Sequence, residues 1–537
     1  MTAMQKPQKR PHRTAITLGL LAGLTGCGLT PEPLSLTERT SLIAQDKTVL
    51  FDKQEPISAP LTLYQAMARA LKYNLDHRVK MMERAVSEGQ STLARYSLLP
   101  ELVASAGYSA RDNFNASNSR GIPDGQQSLR TSTSQDRNRY LGDLVFRWNI
   151  LDFGVSYFNA QQEGNKALAA EENRRKVSHN LMQDVRSAYW RALSAQHLEK
   201  EIAPVVAEAR HALALSRESD QQRLKPPLDT LRYQKSLVEI IRRLDALLDQ
   251  QKMAKAELAG LLNLPVNQAY VLAEPDSQSA SQAPKVDLSM ERMEEIALQM
   301  RPELRQEMYQ TRIGTAEIHK AMLRLLPGVE LEIGGHYDSN SYLLNQHFAE
   351  LAPQIAKNVF ELLQAPQAIR TAETQKALAD SRRLAAHMAI LTQVHLANEQ
   401  LELSRKQYEQ AQELDDINQQ ILRHVANSAD SQATSAMERI RTAVDAIMTK
   451  LQRQQSHADM QAALGKLYVS LGFDPLPEAV AGHDVDTLAQ AIAAIDQEWA
   501  QGRLPEPADR STEAEAPEAQ STHPVFELGE LMSSVGL

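Results

Sequence analysis

Asp229 with Arg232 and Glu438 with Arg441 are the two acid–base pairs whose placement stands out in this chain. Each carboxylate follows a predicted turn, Arg223-Leu224-Lys225-Pro226-Pro227 in one case and Asn427-Ser428-Ala429-Asp430-Ser431 in the other, where prolines open a helix and small polar residues favour a reversal. A carboxylate in a first helical turn is favoured by the amino-terminal dipole, and an Arg three residues on is its neighbour on the same face. That chemistry explains the pairs as helix starts, and anything more depends on what the helices surround. Covalent chemistry has no comparable candidates. The chain has no His-Glu-x-x-His helix, no phosphate-cradling glycine loop and no Cys/His cluster, so metal hydrolysis and nucleotide binding lack their usual parts. His197 and His211 could face each other along a helix, but polar helix faces account for them without a metal. No catalytic residue, metal or cofactor is expected, and the chain is not read as an enzyme.

The elements that carry these pairs occur twice. Leu61-Thr62-Leu63 through Gly107 can be laid on Leu288-Ser289-Met290 through Gly334 without a gap, matching Leu98-Leu99-Pro100 with Leu325-Leu326-Pro327. After a shorter intervening loop, Trp148-Asn149-Ile150 lies on Lys357-Asn358-Val359. The same offset carries Leu228-Asp229 to Met437-Glu438 and Arg232 to Arg441. The candidate pairs are therefore copies of one another within a duplicated unit.

The first residues point to a compartment. Lys6, Lys9, Arg10 and Arg13 make a basic start, and Ala15 to Leu24 is an apolar segment of signal-peptide length, about half of the ~20 residues a spanning helix needs. It ends in Leu24-Thr25-Gly26-Cys27, which resembles a bacterial lipobox, where the cysteine thiol takes a diacylglycerol and fatty acyl chains tie the mature amino terminus to a bilayer. Cys27 is the single cysteine, which excludes an internal disulfide. Formal charge is -9 for the whole chain and the leader holds four basic and no acidic residues, leaving -13 and disfavouring a nucleic-acid partner. No later apolar run approaches spanning length, so a crossing of a membrane would have to be made by strands.

Both units read as very long helices separated by strand pairs. Gly154 to about Gln221 holds only Pro204, and as one helix it would be roughly 100 Å long. In Leu228 to Leu262, Leu237, Ile241, Leu244 and Leu248 recur at spacings of four and three, a coiled-coil seam with charged flanks. The second unit repeats this from about Ile369 to Val425 and from Met437 to Leu471, with Ala386, Ala389, Ile390, Gln393, Leu396 and Leu403 as small or apolar positions. Among the strands, Leu144, Phe146, Trp148 and Ile150 alternate with polar residues, as do Val329, Leu331 and Ile333 with Glu330 and Glu332. Leu102 to Arg111 and Phe348 to Val359 are weaker, the latter because Pro353 cannot donate to a ladder. Alternation of this kind suits a barrel with lipid outside and water inside. Four strands cannot close one, since the smallest membrane barrels use about eight, so an oligomer is required.

With its Leu-Thr-Leu start, Leu-Leu-Pro strand entries, Trp148-Asn149-Ile150-Leu151-Asp152-Phe153-Gly154 and closing Leu471-Gly472, the chain resembles the TolC-type outer-membrane efflux channels over about residues 61–477. The resemblance implies a mainly α fold with a small β part. In it a homotrimer pools four strands per chain into a β-barrel and its helices into a periplasmic tunnel. It also implies lipid anchoring in the outer membrane through Cys27, a periplasmic adaptor and an inner-membrane pump as partners, and gated passage of solutes. The polar stretch Asp112 to Arg139 would be a mobile outward loop, and Asp229, Arg232, Glu438 and Arg441 would line the closing end of the tunnel. Lys225-Pro226-Pro227 and Arg441 depart from the family's pattern there. A periplasmic coiled-coil lipoprotein that scaffolds partners without spanning a membrane is the competing class. The expected layout is a signal peptide (1–26), a lipidated extension (27–60), a first repeat (61–272), a polar linker (273–287) and a second repeat (288–477). A C-terminal helix (478–502), with Leu488, Ile492, Ile495 and Trp499 on one face, and a disordered acidic, Pro-rich tail (503–537) complete it.

Overall fold

The computed structural model describes residues 33–52, 54–128, 130–221, 227–265, 268–274, 286, 288–429, 436–476 and 480–505; Cys27, most of the linker and nearly all of the tail lie outside them. The chain divides into two compact units, Met1–Gln54 and Glu55–Leu537. In the first, helix α1 (Leu36–Val49) opens with a capping box: the Ser35 hydroxyl accepts the Glu38 N–H while the Glu38 carboxylate accepts the Ser35 N–H.

The second unit runs α2 (Leu63–Tyr73), α3 (Leu75–Tyr96), β1 (Glu101–Ala110), β2 (Ala116–Ser117), β3 (Ser132–Thr133), β4 (Asn138–Asn149), α4 (Ile150–Gln221) and α5 (Pro227–Leu261). It then repeats as α6 (Met290–Met300), α7 (Pro302–Leu323), β5 (Gly328–Asp338), β6 (His347–Ala356), α8 (Val359–Ala429) and α9 (Ala436–Leu471), and ends in α10 (Val485–Ala500). Helix lengths carry the duplication: 11, 22, 72 and 35 residues in the first copy against 11, 22, 71 and 36 in the second. Local chemistry explains the matching breaks. Thr62 and Ser289 cap α2 and α6 by accepting the N–H three residues on. At the second break Asn74 caps α3 through the His77 N–H, whereas Pro302 opens α7 by having no N–H to satisfy. Helix α8 starts ten residues before the predicted Ile369 and takes up Val359, which the sequence reading gave to a strand; Pro366 lies in its second turn or so, and the helix continues through it.

Three apolar cores hold the unit. One joins α2, α4, the end of α5 and α10; a second joins α6, α8, α9 and Trp499 of α10; the third packs Leu237 and Leu244 of α5 with Leu198 and Ile202 of α4 and Ile440 of α9. The predicted seam of α5 is thus its buried face. Helix α10 bridges the repeats, with Leu488 and Ile492 in the first core and Trp499 on Tyr468 and Phe473 in the second. On α8 the small and apolar positions divide between faces. Ile390 is buried, but Leu396 and Leu403 are 62% and 50% exposed, and Val394, Ala397 and Leu401 fill the core, because the periodic apolar residues of α8 fall on two faces.

A buried charge network also ties the copies. Arg175 on α4 reaches Glu172 and, at 2.8 Å, Asp474 beyond α9; His179 lies 2.7 Å from Asp474, and Arg305 of α7 is 3.0 Å from Glu172. Burial would raise the Asp474 carboxyl, but the hydrogen bonds and attraction of His179 and Arg175 outweigh it and hold it well below the usual range. Asp474→Asn, which leaves Arg175 with Glu172 alone and takes the carboxylate from His179, is expected to cost about 3 kcal/mol. The urea midpoint of the helical circular-dichroism signal checks this, and an unchanged midpoint would refute it.

His77 is buried, with Nδ1 2.9 Å from the Leu71 carbonyl, and burial together with nearby Arg174 pushes it down to about 4. An unfolded chain takes up that proton near pH 6.5 while the folded one resists. Stability should therefore be lost as pH falls from about 6.5 to 4, by about 3 kcal/mol in total. His77→Leu is expected to flatten that stretch of the stability–pH curve, and an unaltered slope would count against it.

Candidate functional site

Strands β1, β4, β5 and β6 form one antiparallel sheet in that order, because β4 pairs with β5 and joins the hairpins of the two repeats. They are 10, 12, 11 and 10 residues long, the length at which a tilted strand crosses a bilayer. Register sorts their side chains. One row runs Leu102, Phe146, Ile333 and Leu351, with Ala104, Leu144, Gly335 and Ala349 above and Trp148, Leu331 and Pro353 below. This face is apolar and the helices of its own unit leave it open: Leu102 is 66%, Ile333 47% and Leu351 65% exposed. The opposite face carries Glu101, Arg147 and Glu332 in one row, and Arg139 bonded to Asp338 at 2.9 Å two rows beyond Asp143. Pro353 sits inside β6, an edge strand, where a missing donor is tolerated. Aromatic pairs mark both ends of the apolar face, Tyr108 with Tyr140 and Tyr337 with His347 toward the loops, and Trp148 with Phe153 toward the helices.

The polar loop between β1 and β4 carries local structure among its described residues. It holds the β2–β3 hairpin, and Asn340 of the second repeat clamps it by donating to the Ser134 carbonyl at 3.0 Å and accepting the Asp136 N–H at 3.0 Å.

The helices continue the sheet's order. Helix α3 packs on α4, α4 on α7 and α7 on α8, so each edge strand runs into an edge helix. Both edge helices keep apolar side chains in the open: Leu75, Val79, Val86, Leu93 and Tyr96 at three-, four- and seven-residue steps on α3, and Phe360, Leu363 and Leu378 on α8. Among the described residues no helix is long and apolar enough to cross a membrane.

The four predicted tip residues fall where expected in the chain, but they form one contact between copies rather than one cluster. Asp229 and Arg232, in the first turns of α5, approach to 3.9 Å with both side chains more than 70% exposed, a pair that water screens to little energy. Glu438 stands exposed at the start of α9, and Arg441 donates to Ser236 of α5 at 3.5 Å, beside the buried Leu237 and Ile440. The turns themselves, 222–226 and 430–435, lie outside the described residues. Sequence reading missed the links that join the two coils, Lys450 with Glu201 and Arg439 with Glu208 at 3.5 Å, and one within the second coil, Arg453 of α9 with Asp415 of α8 at 3.1 Å. Asp415 is almost fully buried, yet a charged residue on a long helix is ordinarily solvated, and no local signal distinguished it.

No protein-family model matches this sequence, and no curated protein matches it. Solved structures do. The outer-membrane channel OprN is 16% identical and superposes with a TM-score of 0.60 over 76% of this chain and 89% of its own. The CmeC outer membrane channel of Campylobacter jejuni is 13% identical, with a TM-score of 0.59 over 91% and 99%. The open-state MtrE outer membrane channel of Neisseria gonorrhoeae is 16% identical, with a TM-score of 0.57 over 79% and 94%. At these identities the likeness establishes the fold, which is the one these outer-membrane channels share.

If the tip pairs act only as helix starts, Asp229→Ala with Glu438→Ala will leave conductance and polycation block in planar bilayers unchanged; the expected outcome is weaker cation block. The bilayer recording decides between them.

Proposed function

We propose that this chain is one third of an outer-membrane duct, in which three copies pool their sheets into a twelve-stranded barrel and their helices into a tunnel below it. The observation that carries this reading is the two-faced sheet: a fully apolar row from Leu102 to Leu351 open on one side, charges on the other, and unpaired edges at β1 and β6. Lipid would cover the first face, water the second, and β6 of one copy would pair with β1 of the next. Twelve strands fall within the range of closed membrane barrels, while four do not. The same rotation sets the apolar flank of α3 against that of α8, giving a heterologous contact that closes as a ring. A periplasmic scaffold would leave the row from Leu102 to Leu351 without a partner.

In this reading solutes pass without chemistry, and the tunnel closes at the starts of α5 and α9. Asp229 and Glu438 place negative charge there, Arg441 ties α9 to α5, and Lys450–Glu201 and Arg439–Glu208 hold the second coil against the first. Opening would need those links to part. A periplasmic adaptor docking on the tips and an inner-membrane pump would supply cargo and energy. Acyl chains on Cys27 would add a second hold on the bilayer.

Purified from outer membranes, the protein should migrate as a trimer that heat converts to monomer. Ile333→Arg, which sets a cation in the middle of the apolar row, should abolish that trimer at a cost of about 2–4 kcal/mol per copy. Glu332→Gln on the opposite face should leave it intact. A monomer in native envelopes, or equal tolerance of both changes, would end the duct reading.

A further inference from the structure

Deepening the duct reading, on which it rests, we propose that His336 sets the ion selectivity of the barrel interior by acting as a removable cap on two carboxylates. At this level a polar row crosses β1, β4 and β5 and ends on Phe348 of β6, with Glu350 one row below. Ser105 of β1 donates to Asp143 Oδ2 of β4 at 2.8 Å, and Asp143 Oδ1 lies 2.8 Å from Nδ1 of His336 on β5. Its Nε2 lies 3.8 Å from Glu350 of β6, and the ring stacks on Phe348 at 5.0 Å. Space for the ring is built in: a Cβ at Gly334, one step down the same face, would run into Nε2. The imidazole is thus held between two acids rather than swinging free.

The other basic groups of this face behave differently. Arg139 pairs with Asp338, and Arg147 lies 3.4 Å from Glu332 with Glu101 opposite on β1. Guanidinium keeps its charge at any working pH, so those rows are constant. Glu330 stands between Asn149 and Gln354 with no base beside it in the register. An imidazole can exchange its proton between about pH 5 and 8. The groups facing it here are Asp143 and Glu350, with Asp338 and Glu332 on its own strand and Ser105 and Phe348 in its row. With His336 neutral, Asp143 and Glu350 present two negative charges per copy to the water; with His336 protonated, that layer is halved. Narrow, low-dielectric passages amplify such a difference into cation preference.

The test uses the full-length protein in planar bilayers under a potassium chloride gradient, with reversal potential read at about pH 8 and about pH 5.5. The wild type should prefer cations, more strongly at the higher pH. His336→Gln should conduct and lose most of that pH step. Glu350→Gln, on the edge strand, should lower the preference at the higher pH and shrink the step; it carries the test if the first variant fails to assemble. A His336→Gln channel with the full wild-type step would overturn the proposal, as would a wild-type channel whose selectivity ignores pH. A wild type that forms no channel would overturn the duct reading itself.

Discussion

In the proposed duct, backbone hydrogen bonding in lipid is the constraint from which the rest of the architecture follows. A strand crossing hydrocarbon has no water to satisfy its N–H and C=O groups, so every edge must find another strand. The sheet of one copy has two such edges, β1 and β6, and a face from Leu102 to Leu351 that none of its own helices covers. In the proposed duct both deficits would be cured by the same step, a rotation that brings edge to edge and leaves the apolar face outward. Each edge strand runs into an edge helix, so the proposed ring closure in the sheet would bring α3 and α8 together below it.

Duplication makes such closure simple and also shows where the two copies have diverged. Helix lengths agree to within a residue, and Thr62 and Ser289 cap corresponding helices in the same way. Trp148 and Lys357 do not correspond in chemistry. Trp148 packs edge-on against Phe153 at the end of the apolar face, while Lys357 turns back to the Arg324 carbonyl and lies 3.3 Å from Glu361. The copies are held to one another by Arg175, Glu172, Asp474, His179 and Arg305, where carboxylate and guanidinium satisfy one another out of water. Such buried pairs add little net stability over an apolar packing but are costly to break, so they suit a junction that must keep one register.

Much of this was legible before any coordinates, and for local reasons. Alternation in Leu144 to Asn149 and Val329 to Ile333 is set by the pleat, and the seam of Leu237 and Leu244 by helical period, so these elements were read correctly apart from their ends. Reading failed where a residue's environment is decided by distant chain. No local pattern marks Leu396 and Leu403 as exposed, Asp415 as buried, or the loop from Asp112 to Arg139 as bonded to Asn340. The duplication marks the tip pairs in the sequence, but the reach of Arg441 to Ser236 joins helices of different repeats and has no local sign.

By itself the sequence determined the duplication, the helix and strand types, the two-faced strands and the candidate charges at the helix starts, because each depends on periodicity and capping within a few residues. Only the tertiary structure decided that β4 joins β5 to make one sheet, that α10 bridges the repeats, and that His336 comes to rest between Asp143 and Glu350. Those contacts join residues far apart in the chain, and the free energy that selects them comes from packing and burial, which no local window contains.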